Sequence, residues 1–278
     1  MKKIGLCLGG GGAKGAYQIG VWKYMAEKGW DKNICAISGS SIGALNMLLF
    51  AQSDVNRAEQ LWRTIRVDDI LASEQSGLLT TIKRMVQNRD FHMFNQERVA
   101  KVIEKGVQDW DAISQSSIPL YACVAQKKRN EQIQILEGTR PREWIYETKY
   151  IELNQHTKEE IKDIVLASSA MPIIYPTKQI KENDYVDGGF LDNTPVRPLV
   201  ELGLKEIVVV HLFDWTEDEK SKWELSIEGL DTDDIVFHHI SPSEPFNFID
   251  AFVVNKVLTM GRIQLGYEDA KECLQIKD

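Results

Sequence analysis

Four consecutive glycines, Gly9 to Gly12, follow directly on the short apolar run Lys3 to Leu8. Beyond them Tyr17, Val21 and Tyr24 recur at helical spacing, and Gly29 stands where a C-terminal cap belongs. The pattern then repeats. Ile34 to Ile37 reads as a second strand, Ser38-Gly39-Ser40-Ser41-Ile42-Gly43 as a tight turn, and the residues from Ala44 onward as an apolar helix. Strand, open turn, helix, twice over, is the grammar of a parallel sheet with crossover helices. Ile118 to Ala125 reads as the third strand, with a hairpin partner over Gln132 to Leu136. Ile207 to Phe213 has the unbroken apolar character of a strand covered on both faces.

Further along, Thr157-Lys158-Glu159-Glu160 is a capping box. It opens a helix carrying Ile161, Ile164 and Val165 that must stop near Met171, ahead of Pro172. An amphipathic helix is predicted from roughly Asp250 to Leu274, within a C-terminal segment 250–278. Residues 53–115 are polar, charged and helical in tendency, with Phe91, Met93 and Phe94 standing out. They read as a helical insertion over the sheet, either a lid or an ordinary packing subdomain. With no repeat and no low-complexity linker, residues 1–278 read as one domain.

Composition narrows the function. A 278-residue chain with 43% hydrophobic and 27% charged residues has a sizeable core and excludes disorder. Its formal net charge of −8 argues against a nucleic-acid partner, which needs clustered cations. It leaves room for transient contact with a membrane surface through a local patch. The four cysteines, Cys7, Cys35, Cys123 and Cys273, are too scattered for a disulfide framework or a metal box, and the first two read as small buried thiols. No apolar stretch has the length of a membrane span, and the N-terminal run breaks at the glycines too early for a secretory signal. The expected location is the cytoplasm, peripheral to a membrane at most.

Two segments point to chemistry. Gly39-Ser40-Ser41-Ile42-Gly43 is a G-x-S-x-G pentapeptide between a strand and a helix. That context forces the serine into strained backbone geometry and lifts its hydroxyl from the sheet, with flanking glycines where side chains would collide. The glycine run, read as Gly10-Gly11-Gly12-Ala13-Lys14-Gly15, leaves several amides free to point at one anion. That anion could be a dinucleotide pyrophosphate or the oxyanion of an acyl-transfer intermediate, and a merely tight turn is the plain alternative. A dinucleotide site needs a carboxylate at the end of the second strand, where this chain has Ser38-Gly39-Ser40-Ser41. None of the five histidines sits in a turn after a strand, and His211 falls in an apolar strand and reads as core, so a Ser-His-Asp triad stays open with no histidine nominated for it. Tyr185-Val186-Asp187-Gly188-Gly189 instead places an aspartate at the exit of a short strand, and a carboxylate whose pKa is raised by burial can act as a base.

In this order, the glycine loop, the serine turn and the late Asp-Gly-Gly resemble the patatin-like phospholipase family. Supporting segments are Ala167-Ser168-Ser169-Ala170-Met171-Pro172, Asn193-Thr194-Pro195 and, more weakly, Gly266-Tyr267-Glu268-Asp269-Ala270. The resemblance implies a three-layer α/β/α sandwich around a mostly parallel sheet, and a Ser-Asp dyad hydrolysing carboxylic esters of phospholipids or acylglycerols. It makes Ser41 the nucleophile, Asp187 the proton acceptor and the amides around Gly10, Gly11 and Gly12 the oxyanion hole. Gly15, Gly39, Gly43, Gly188 and Gly189 complete the motifs, and no metal or organic cofactor is implied. Lys14 stands where the family commonly has arginine, and an ammonium cannot make the same bidentate contacts. An acyltransferase built on the same dyad, or a non-catalytic nucleotide or anion binder using the glycine loop, are the alternatives.

Overall fold

The computed structural model describes residues 3–66, 69, 96–129, 144–172 and 175–275. The strands are β1 (Ile4–Leu8), β2 (Ile34–Ser40), β3 (Leu120–Arg129), β4 (Trp144–Glu152), β5 (Lys178–Ile180), β6 (Asn183–Asp187), β7 (Glu206–Val210) and β8 (Val236–Ile240). The α-helices among the described residues are α1 (Ala16–Glu27), α2 (Ile42–Phe50), α3 (Val55–Thr64), α4 (Gln96–Gly106), α5 (Trp110–Ser114), α6 (Lys158–Ser168), α7 (Arg197–Glu201), α8 (Glu217–Ser226) and α9 (Lys256–Leu274).

The eight strands among the described residues form one sheet in the order β5-β6-β3-β2-β1-β7-β8, with β4 paired to β3 off that path. The pairings from β3 through β2, β1 and β7 to β8 are parallel, and those of β4, β5 and β6 are antiparallel. The mixed α/β fold and its mostly parallel sheet are therefore as the sequence predicts.

Strand periodicity builds the layers. On β1, Ile4, Leu6 and Leu8 enter one apolar cluster with residues of α1, α2, α3 and α6, while Cys7 enters a second with Leu199 of α7 and Trp223 of α8. On β7, Val208 and Val210 face the first cluster and Ile207 and Val209 the second. Both strands are buried throughout, as their unbroken apolar sequence requires. Gly29 ends α1 with a φ of 73°, the conformation a C-terminal glycine supplies most readily. Among the described residues, no helix is long and apolar enough to cross a membrane.

Several boundaries differ from expectation. The Gln132–Leu136 hairpin arm and Phe91, Met93 and Phe94 lie outside the described residues; within them, the antiparallel partner of β3 is β4. The strand predicted to reach Phe213 ends at Val210; His211 is buried, as the sequence predicts, and its ring bonds that of His239 at 2.9 Å. The C-terminal helix begins at Lys256 rather than Asp250. Asn255 caps it through a bond from the Leu258 amide (2.9 Å), and Asp250 belongs to a separate 3-10 turn, Phe248–Ala251. Nor are its first two turns amphipathic in the expected sense. Thr259 and Arg262 are buried while Val257 and Met260 face outward.

Candidate active site

The edge of β3 brings two distant loops together. β2 runs parallel to it and leaves after pairing Ser40 with Cys123. β6 runs antiparallel along the same strand and ends by pairing Asp187 with Val124. Two strands thus arrive from opposite directions and terminate opposite consecutive residues of β3. Ser41 is the residue just past one end and Asp187 the last residue of the other. The Ser41 hydroxyl donates to Asp187 Oδ2 at 2.8 Å, across 146 residues of sequence.

Ser41 is the N-cap of α2, with φ 53° and ψ −121°, a conformation that L-residues avoid and that tertiary contacts must hold. Gly43 shows one of those contacts. A Cβ there would overlap the Leu8 carbonyl, so the helix can approach β1 only without a side chain. At Gly188 a Cβ would strike the Cys123 carbonyl in the same way, so Asp187 can reach its position only if glycine follows it. Gly39 and Gly189 flank the same close approaches, and Gly15 packs against Ile42.

Asp187 is 4% exposed. Its Oδ1 accepts the Gly189 amide at 2.7 Å, leaving Oδ2 for Ser41. Burial pushes its pKa from 3.8 up to about 7, against the opposing effect of the hydrogen bonds from Ser41 and Gly189. A serine hydroxyl bonded to such a carboxylate can lose its proton to it as it attacks.

The glycine loop is fastened by its carbonyls. Gly9 O accepts from Gln18 Nε2 (2.8 Å), Gly10 O from Asn193 Nδ2 (3.3 Å), Gly11 O from the Lys14 amide (3.3 Å), Ala13 O from Arg262 Nη1 (3.1 Å) and Gly15 O from Asn46 Nδ2 (2.9 Å). Gln18 and Asn46 also bond each other, and Trp62 Nε1 donates to Asn46. The Gly10 amide donates to the Asn193 carbonyl at 3.2 Å. The amides of Gly11 and Gly12 have no protein acceptor among the described residues. Of the three amides read as anion donors, Gly10 is thus committed to holding the loop, and Gly11 and Gly12 are available.

Lys14 does not reach the same space. It is fully buried behind the loop with Nζ 4.0 Å from the centroid of the Phe213 ring, and desolvation lowers its pKa against the favourable fields of Asp250 and Asp214. Ser41, Asp187 and Gly12 share the wall of an apolar pocket of about 160 Å³. Leu45 and Leu49 of α2, Trp62 of α3, Ile103 of α4 and Phe252 form much of its remaining surface. Two described helices of the 53–115 insertion, α3 and α4, thus contribute to the pocket. None of the described histidines lines it, and His92 lies outside the described residues.

Sequence reasoning assigned no role to the end of α6, which anchors both loops. Ser168 Oγ accepts the Ser41 amide at 3.0 Å and donates to the Cys123 carbonyl at 2.6 Å. Two residues on, the Ala170 carbonyl accepts the Asp187 amide at 2.9 Å. The helix stops at Ser168, before the predicted Met171, and the freed Ala170 carbonyl serves Asp187 rather than a next helical turn. This gives Ala167-Ser168-Ser169-Ala170 a physical meaning. Ser168→Ala is expected to leave the Ser41 amide and the Cys123 carbonyl unpaired and to cost about 1–3 kcal/mol. A shifted denaturant midpoint with an unchanged slope would register that loss, and Ser168→Thr, which keeps the hydroxyl, should recover much of it.

Comparison with known proteins yields a match to the family model described as patatin-like phospholipase, over residues 6–200. The chain is 30% identical over 277 residues to lysophospholipase NTE1 of Cryptococcus neoformans var. neoformans serotype D, a match covering 99% of this chain and 14% of that protein. It is 25% identical over 208 residues to lysophospholipase NTE1 of Mycosarcoma maydis, covering 74% of this chain and 9% of that one. The chain therefore spans only a small part of these curated relatives. Among solved structures, VipD from Legionella pneumophila has a similar fold, with a TM-score of 0.51 at 15% identity, covering 98% of this chain and 66% of that one.

Proposed function

The chain belongs to the patatin-like phospholipase family, and we propose that it is a serine lipid acyl hydrolase whose preferred substrates are single-chain carboxylic esters of the lysophospholipid class. The observation that carries this reading is the 2.8 Å bond from Ser41 Oγ to a buried carboxylate at the head of an apolar pocket. The acyl chain lies in the pocket, and the headgroup stays toward solvent. Ser41 attacks the ester carbonyl while its proton passes to Asp187 Oδ2, and the oxyanion is held by the amides of Gly11 and Gly12. The oxyanion then collapses to the Ser41–acyl ester as the substrate's ester C–O bond breaks, and the leaving alcohol takes the proton from Asp187. Water then gives a proton to the same carboxylate as it opens the acyl-enzyme, and the fatty acid departs as Ser41 recovers its hydrogen. No step calls for a metal or an organic cofactor.

Support for the substrate class comes from the relatives named lysophospholipase and from a pocket whose surface is mostly apolar. Fatty-acid release from lysophosphatidylcholine, diacyl phosphatidylcholine and monoacylglycerol tests it, run with and without an added alcohol acceptor. Release from the monoacyl lipids, with no acyl ester formed on the acceptor, is the expected pattern. Release from the diacyl lipid alone would refute the substrate class, and dominant transfer to the acceptor would make the chain an acyltransferase.

A further inference from the structure

We propose that the stretch 248–261, together with the C-terminal end of α3, docks on an anionic lipid surface and presents the pocket mouth to it. Phe248, Ile249, Val257, Leu258 and Met260 all face solvent, Phe248 at 72% and Val257 at 80% exposure. The same stretch supplies Ala251, Phe252 and Val254 to the wall of the pocket that holds Ser41. One short segment therefore turns apolar side chains both outward and into the site, so exposed apolar residues alternate along it with residues of the pocket wall. Phe248 and Phe252 stack edge to face at 5.2 Å across that boundary.

The first two turns of α9 show the same outward apolar face. A helix that only covers a core buries its apolar side chains and exposes its polar ones. Here Thr259 and Arg262 are buried, Arg262 holding Asp250 and the carbonyls of Ala13 and Val253, while Val257 and Met260 are exposed. A cluster of exposed large apolar side chains within one short stretch points to an interaction site.

Charge selects the partner. Arg63, Arg66 and Lys256 line one cleft with Val254 and Asn255. Arg63 is paired with Glu59, but the side chains of Arg66 and Lys256 have no carboxylate partner among the described residues. On a chain of net charge −8, this is a positive rim bordering an apolar lip. Apolar side chains flanked by cations suit a lipid interface with phosphate-bearing, anionic headgroups. The inference rests on the hydrolase reading, which gives the pocket its need for a lipid source.

Flotation of the full chain carrying Ser41→Ala, with vesicles of phosphatidylcholine alone or mixed with phosphatidylserine, tests the docking without turnover. Stronger binding to the mixed vesicles is expected. Ile249→Ser with Val257→Ser should lower binding about tenfold or more, and Lys256→Glu should remove about tenfold of the preference for anionic vesicles. The same lip substitutions in the chain with Ser41 intact should leave hydrolysis of a water-soluble short-chain ester unchanged. Binding that ignores these substitutions, or no binding to either vesicle, overturns the proposal even if the soluble ester is hydrolysed. So does a dimer that the substitutions dissociate while vesicle binding persists, since a second copy would then cover the lip. Lip-dependent vesicle binding with no ester turnover upholds the docking and defeats the hydrolase reading instead.

Discussion

Asp187→Asn should reduce turnover of a monoacyl ester by about 10²–10⁴-fold while leaving the fold intact or more stable. The asparagine oxygen can still accept the Gly189 amide, and its amide nitrogen can still meet Ser41 Oγ, so the geometry around the turn survives. Only the proton acceptor is lost. Ser41→Ala should cost about 10⁶-fold. The double variant should be no worse than Ser41→Ala, because residues that act on one proton do not contribute independently.

Stability separates this from simple damage. The pKa of Asp187 is raised in the folded chain, from 3.8 to about 7. The folded state therefore holds the proton more tightly than the unfolded one. The stability this contributes is fully present below about pH 4 and is lost as the pH rises through about 7, a swing on the order of 4 kcal/mol. Above that range the wild type keeps a buried charge that Asn does not carry. A denaturant titration at pH 8 should then place Asp187→Asn at or above the wild-type midpoint. An inactive variant that is also markedly less stable would mean that Asp187 serves the fold rather than the reaction.

The second large effect is on pH dependence. If the base is the Asp187 carboxylate, kcat/KM should fall about tenfold per unit below pH 7 and level off above it, following one ionisation. An ordinary surface carboxylate, near 3.8, would leave the rate flat from pH 5 to 8. The cause of the shift is burial, so it should respond to polarity at the site. A histidine base could imitate the midpoint, but no described histidine lines the pocket, and His211 and His239 are occupied with each other. Asp187→Asn distinguishes the two carriers: the residual rate should lose this ionisation.

The two loops that meet at the pocket were legible as turns because their backbone demands are extreme. Gly12 has φ 59°, and Ser41 at φ 53° stands beside the close approach of Gly43 to the Leu8 carbonyl, which no side chain could share. Such demands leave runs of glycine in the text. The central strands were legible for a similar reason, since burial on both faces leaves no polar position in Val208, Val209 or Val210. β4 was not. Among the described residues it pairs only with β3, and much of it is exposed, so Trp144 to Glu152 mixes apolar, aromatic and charged residues without a clean alternation. Ser168 and Asn193 were visible as parts of motifs but not as anchors. Their partners, Ser41 and Gly10, lie 127 and 183 residues away, and only the shared edge of β3 and the neighbouring loops bring them together. The available amides shifted for the same kind of reason. Nothing in the glycine run itself says that Gly10 donates to Asn193.

The central claim is that Ser41 becomes nucleophilic by giving its proton to Asp187. The most direct test is the rate at which a long-chain alkyl fluorophosphonate labels the protein, followed by intact mass across pH and located by peptide mapping. The adduct should fall on Ser41, form at a rate that rises through a single ionisation near pH 7, and slow by orders of magnitude in Asp187→Asn. Labelling at another residue, or labelling of Ser41 that neither titrates in that range nor slows in Asp187→Asn, would contradict it.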